Sequence, residues 1–320
     1  MNDKPRLFNL SHQKPLYQLF VALGIIVLIG TALTLVLIMP GLMYFDSDLS
    51  VLSKQSEILS PDDLSFIRYL LVVQDTALLL VPSYIILVLM KSDKGYSLEE
   101  LRIPDFKDIS LVIVLTMCVI PVTAFTGEIN SMLDLPPGLS GVEVWMTEKE
   151  QQADTMIKSL IAAGTFSTML LNLFSLALMP AIAEEFIFRG VFQRIFARLF
   201  RSGHLAIWTT AFIFSAIHFQ FFGFLPRFVL GLIFGYLYFW SGTLWLPVTA
   251  HFVNNAFPVI FSYAQGAESL TLPSGIPLWK QALALPVPIV IGMVVLLHFR
   301  RIYITAERSN VPQIRQSGDS

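Results

Sequence analysis

Long apolar runs recur along the whole chain, and they bound the fold before anything else does. Tyr17 to Pro40 and Phe166 to Ala183 are almost wholly apolar, and each is long enough to cross a bilayer. The chain is 55% apolar and only 14% charged, where a soluble domain carries about 25% charged residues. A bilayer admits helices or closed barrels, and these runs lack the period-two alternation of barrel strands. The expected fold is therefore all-α, a polytopic membrane helix bundle. Eight transmembrane helices are read, at roughly 17–40, 66–90, 109–126, 160–190, 204–221, 225–241, 243–262 and 280–299. The first run is too long for a signal-peptide core and reads as a retained span.

Lysine and arginine set the orientation. They gather before the first span (Lys4, Arg6, Lys14), in the 91–108 loop, after Arg189 (Arg194, Arg198, Arg201) and at Arg300, Arg301, Arg308 and Arg315. Residues 43–65 hold only Lys54 against five acids, and 127–158 hold Lys149 and Lys158 against six. Eight spans in the cell (inner) membrane with both termini cytoplasmic satisfy every bias. The expected division is a three-span region 1–126, an extracytoplasmic loop 127–159, a four-span core 160–262, and a last span with a cytoplasmic tail, 263–320. The partners expected from this are membrane lipids. The net charge of −2 gives no electrostatic footprint for nucleic acid. The single cysteine, Cys118, reads as a small buried residue.

Nearly all the intramembrane polar groups fall in the core. Glu184-Glu185 ends an apolar run, and Arg189 follows. A charge deep in a bilayer costs at least ~2.5–3.5 kcal/mol, so two adjacent acids there point to function. On a helix Glu185 and Arg189 share a face and can pair, while Glu184 points about 100° away and stays available. Phe214 and His218, and His251 and Asn255, repeat the four-residue spacing. Helix rise places Glu184 ~15 Å, His218 ~21 Å, His251 ~12 Å and Asn255 ~18 Å from the cytoplasmic face, so the groups can converge at mid-depth. Such a set suits amide hydrolysis. A carboxylate activates water, a histidine holds or shuttles the proton, and a second histidine with an asparagine amide donates to the oxyanion. Ser215 is the one hydroxyl in a comparable setting. Gly231 and Gly235 read as a close helix contact, and Asp75 as a mid-span acid that bonds to another helix.

Glu-Glu-x-x-x-Arg, then Phe-x-x-x-His, then His-x-x-x-Asn, in this order on successive spans, resembles the CAAX-protease and bacteriocin-processing (CPBP, Abi) family of Rce1-type prenyl endopeptidases. Arg227 to Asn255, with Gly231, Gly235 and Ser241 to Trp245, is similar to the family's third and fourth motif region. The resemblance covers about residues 160–262. It implies an intramembrane endopeptidase opening toward the cytoplasm and acting on a membrane-delivered peptide or lipidated protein. Glu184 would activate water, Glu185 and Arg189 would support it, and His218 would be the second catalytic group. His251 and Asn255 would stabilise the oxyanion. Non-proteolytic relatives, described as immunity or scaffold proteins, keep peptide binding without cleavage as the alternative. Metal-free water activation and a divalent metal such as zinc, with Glu184, His218 and His251 as candidate ligands, both stay open.

Overall fold

A computed structural model describes residues 9–45, 49–53, 59–91, 101–133, 135–162, 164–265 and 277–309. Lys4, Arg6, Lys54, Lys94 and Arg315 lie outside the described residues. The helices are α1 (Pro15–Tyr44), α2 (Pro61–Leu89), α3 (Phe106–Ser131), α4 (Ser140–Ile161), α5 (Phe166–Phe200), α6 (Gly203–Ala216), α7 (Phe224–Ser241), α8 (Trp245–Gln265), α9 (Leu278–Ala284) and α10 (Pro286–Ser309). No strand occurs among the described residues, and the chain is a polytopic helical bundle.

Local chemistry starts and stops these rods. Ser60 and Asp63 close a reciprocal capping box at the start of α2, and Thr165 and Thr168 close one at the start of α5. Ser202 caps α6 by accepting from the Leu205 N–H. Arg201 (φ 54°) and Gly242 (φ 69°) reverse the chain into α6 and α8 in the left-handed region. Wide π turns interrupt α1, α2 and α5, at Ile26–Gly30, Asp75–Leu80, Leu173–Leu178 and Phe186–Gln193.

The expected count of eight spans divides into kinds. α1, α2, α3, α5 and α7 are long and apolar enough to cross a membrane, and α9 with α10, bent by 41°, make a sixth if taken together. α6 is apolar but has 14 residues, about 21 Å against a ~30 Å hydrocarbon core. α8 has 21 residues but spends part of its length on His251, Asn254 and Asn255. The fourth span begins later and runs further than its expected 160–190, to Phe200, because the helix continues through the acids. The hydrophilic connection 127–159 is no open loop. It carries α4, with exposed Val142, Val144 and Trp145 among charged residues.

Contacts define two ends of the bundle. At one end the Leu10 N–H donates to the Leu89 carbonyl at 2.8 Å, Arg198 reaches Gln13, and Thr243 Oγ1 donates to the Arg102 carbonyl at 2.8 Å. Trp245 Nε1 donates to the Leu101 carbonyl at 3.0 Å. This end holds the basic clusters. At the other end Arg68 donates to Asn172 Oδ1 (2.7 Å) and to the Leu160 carbonyl (3.0 Å), tying α4 to α2 and α5. Glu150 of α4 accepts from the Phe222 N–H at 3.0 Å, and Trp145 meets Phe219 edge-on. This second end is the acid-rich one.

α6 and α7 pack at their glycines. A Cβ on Gly231 would stand 3.0 Å from both Cα and Cβ of Ala211, and one on Gly235 would stand 2.7 Å from Ile207 Cγ2. Gly231→Ala should lower the detergent-solubilised melting temperature by the equivalent of about 1–3 kcal/mol, the cost of overpacking a filled contact. Gly138→Ala, with open space around it, should leave that temperature unchanged.

Burial raises the Glu150 carboxyl above its ordinary range, against the opposing effects of the Phe222 N–H and the Arg227 charge. An acid raised on docking binds its proton more readily in the docked state. α4 should therefore dock most firmly below the ordinary glutamate range, near pH 4.3, and loosen as pH rises through the raised value. A spin label at Gln151→Cys should become more immobile as pH falls from neutral. Glu150→Gln, which keeps an acceptor and loses the proton, should abolish that dependence.

Candidate active site

Three of the six site residues expected from the sequence meet directly, and Glu184 lies 3.9 Å from one of them. Glu185 and Arg189 are fully buried, and Arg189 Nη1 donates to Glu185 Oε1 at 2.8 Å. Arg189 Nη2 donates to the Gly231 carbonyl at 3.0 Å, which the close α6–α7 contact leaves within reach. The guanidinium also lies against Phe214 and Phe234, 5.0 and 5.4 Å from the ring centroids. Both terminal nitrogens of this cation are thus paired with acceptors, while its buried Nε has no hydrogen-bond partner.

The same Glu185 oxygen holds His251, with Nδ1 at 2.9 Å. An ionised carboxylate only accepts, so Nδ1 carries the proton and Nε2 faces the other way. Nε2 stands 3.9 Å from Glu184 Oε2. Phe234 stacks on the imidazole at 5.1 Å, and Phe214 meets it edge-on at 6.0 Å. The two carboxylates therefore differ in state. Glu185 is sealed beneath its partners, while the Glu184 side chain is 15% exposed and free of any direct hydrogen bond to His251.

His218 lies just beyond α6, in the turn 217–223. It still shares the Phe214 face, its ring 5.5 Å from that phenyl, so both imidazoles flank one aromatic ring. Phe219, next in the chain, has φ 52°, an uncommon conformation for a bulky residue and a mark of a constrained turn. Three groups hold the turn. Asn130 donates to the Phe221 carbonyl at 2.6 Å and accepts from the Leu225 N–H at 3.1 Å. Glu150 takes the Phe222 N–H, and Ser215 Oγ donates to the Phe224 carbonyl at 2.6 Å. Ser215 is therefore committed to the turn.

Asn255 lies one turn along α8 from His251. Its Oδ1 accepts from Asn254 Nδ2 at 3.2 Å, which leaves the Asn255 amide N–H groups to donate elsewhere. Among the described residues no three of His, Cys, Asp and Glu gather as a ligand set.

Three nearby residues escaped the sequence reading or were undervalued by it. Arg227, on the first turn of α7, is within electrostatic reach of Glu184 and His218 and pairs with Gln220. Only the surplus of a cation inside an apolar helix signalled it. Asp75, 6% exposed, opens the π turn of α2 that packs on the Glu184 segment, within electrostatic reach of Glu184. Glu150 sits in the hydrophilic connection 127–159, where the sequence predicts a loop and the structure has α4.

Removing Arg189 would strand a buried carboxylate. Arg189→Met should destabilise the fold by about 3–5 kcal/mol, the usual cost of breaking one side of a buried pair, measured by thermal unfolding in detergent. A loss below about 1 kcal/mol would contradict the burial of this pair.

Residues 166–257 match the family model described as type II CAAX prenyl endopeptidase Rce1-like. "Uncharacterized protein YpbD" of Bacillus subtilis (strain 168) is 36% identical over 85 residues, 25% of this chain and 40% of that protein. The match thus spans less than half of that relative. No solved structure matches. The matched segment runs from the first residue of α5 to two residues past Asn255.

Proposed function

We propose that the protein is an intramembrane endopeptidase that hydrolyses a peptide bond with water activated by Glu184. The observation that carries this is the 3.9 Å separation of Glu184 Oε2 and His251 Nε2, with His251 fixed from behind by Glu185. That gap is too long for a direct hydrogen bond, and a single water bonded to both groups would span it. The match of residues 166–257 to the Rce1-like family model supports a CAAX-type intramembrane protease in general.

In this reading Glu184 takes the proton of the water as its oxygen attacks the scissile carbonyl. His251, held by Glu185, and the Asn255 amide, which Asn254 orients, stabilise the tetrahedral oxyanion. Glu184 then returns the proton to the leaving nitrogen, and the C–N bond breaks. His218, across Phe214, acts as the second catalytic group beside the developing charge. Glu185 and Arg189 position His251 without touching substrate. No step passes through a metal.

Glu184→Gln should lower kcat by about 10²–10⁴-fold, the scale of general-base catalysis, while membrane insertion and thermal stability persist. Membranes carrying the variant should accumulate an uncut precursor in a proteomic comparison with wild type. A phenotype intact in Glu184→Gln would favour peptide binding without cleavage. Cleavage should survive 1,10-phenanthroline; loss restored by added zinc would overturn the metal-free step.

A further inference from the structure

The two imidazoles of the site are held in different ways. A working side chain keeps its geometry only when its surroundings lock it. His251 has such a lock, since Nδ1 is bonded to the Glu185 carboxylate. The His218 ring makes no hydrogen bond among the described residues and rests on Phe214. Its place is therefore set by the backbone that carries it. That backbone is the turn 217–223, which includes Phe219 at φ 52°. A bulky residue stays in that conformation only while its surroundings hold it there.

The turn runs straight into α7, whose first backbone donors lack partners within the helix. The Phe224 N–H bonds the Phe221 carbonyl at 3.1 Å, and the Arg227 N–H bonds the Gly223 carbonyl at 3.2 Å. Pro226 has no N–H to place. The Leu225 N–H is left over. A helix ordinarily satisfies such a donor with the side chain of its own N-cap residue. Here the N-cap is Gly223, which has none. A Cβ on Gly223 would stand 2.6 Å from Arg227 Cζ, because the guanidinium lies across it and clasps Gln220. The missing acceptor comes from α3. Asn130 Oδ1 takes the Leu225 N–H at 3.1 Å, and Asn130 Nδ2 donates to the Phe221 carbonyl at 2.6 Å. Asn130 is 1% exposed. One buried amide thus bridges the end of the turn and the first turn of α7.

We propose that Asn130 is a positioning residue for His218, supplying from α3 the cap that Gly223 lacks and so fixing the turn from which the imidazole meets Phe214. Asn130 does for His218 what Glu185 does for His251. The task needs a donor and an acceptor on one short side chain, which an asparagine amide has and a carboxylate or a hydroxymethyl of that reach does not combine in the same way. Glu150 and Ser215 also hold this stretch, but each bonds a single backbone atom. Without the Asn130 amide the Leu225 N–H has no partner in place, and the turn must open to satisfy it. Asn130 lies outside residues 166–257, so a helix beyond the segment matched to the family model completes the site. The effect on the reaction rests on the peptidase reading; the hold on the turn does not.

Two measurements on the full chain in lipid nanodiscs test this: amide hydrogen exchange, and cleavage of the precursor that accumulates in Glu184→Gln membranes. Asn130→Ala should speed exchange over residues 217–225 roughly tenfold, the scale of one or two lost hydrogen bonds, with exchange in α5 and α8 unchanged. Its kcat should fall about 10–100-fold at unchanged KM, as for a catalytic group moved out of place. In a His218→Ala background the same substitution should cost little further, because the group it positions is gone. Asn130→Asp keeps an acceptor for Leu225 and should fall between, and it decides by the same measurements if Asn130→Ala does not fold. Unchanged exchange over 217–225 overturns the hold on the turn. Faster exchange with full turnover, or an equal loss with and without His218, overturns the positioning role. If no precursor accumulates in Glu184→Gln, the peptidase reading fails, and exchange alone decides whether Asn130 holds the turn.

Discussion

One carboxylate oxygen organises the core of this molecule. Glu185 Oε1 accepts from Arg189 and from His251 at once, joining α5 to α8. Arg189 carries the connection on to α7 through the Gly231 carbonyl. Burying these charges is costly, and the cost is offset only while each finds its partners in one arrangement. The bundle must therefore set α5, α7 and α8 in one register, which also fixes the imidazole facing Glu184.

The glycines and aromatics serve that register. Gly231 and Gly235 let α7 approach α6, and their carbonyls, exposed by the approach, receive Arg189 and Gln193. Phe214 and Phe234 clamp the guanidinium and also bound His251. The π turn Phe186–Gln193 begins directly after Glu185 and contains Arg189. A wide turn there is the kind of backbone feature that accumulates at functional sites.

Much of this was legible in the sequence, because it depends on helical spacing. Four-residue offsets placed Glu185 with Arg189 and turned Glu184 away from them, as the geometry has it. They did not reveal that Glu185 also holds His251, since that depends on how α8 rotates against α5. Arg227 and Glu150 were obscured for a related reason: their partners come from different elements. α4 resembled a loop because its surface is hydrophilic, and its docking residues are spread thinly among charges. Depth by helix rise assumed that His218 sits within the fifth span, whereas α6 stops at Ala216 and a strained turn carries the histidine.

The central claim is that Arg189 and His251 work through the one oxygen between them. A double-mutant cycle on turnover, with Arg189→Lys and His251→Gln singly and together, tests it most directly. The effects should be strongly non-additive, with a coupling of about 0.5–3 kcal/mol and a double variant hardly worse than the poorer single one. Additive losses, within about 0.3–0.5 kcal/mol, would show that the two residues act apart and that Glu185 is no shared support.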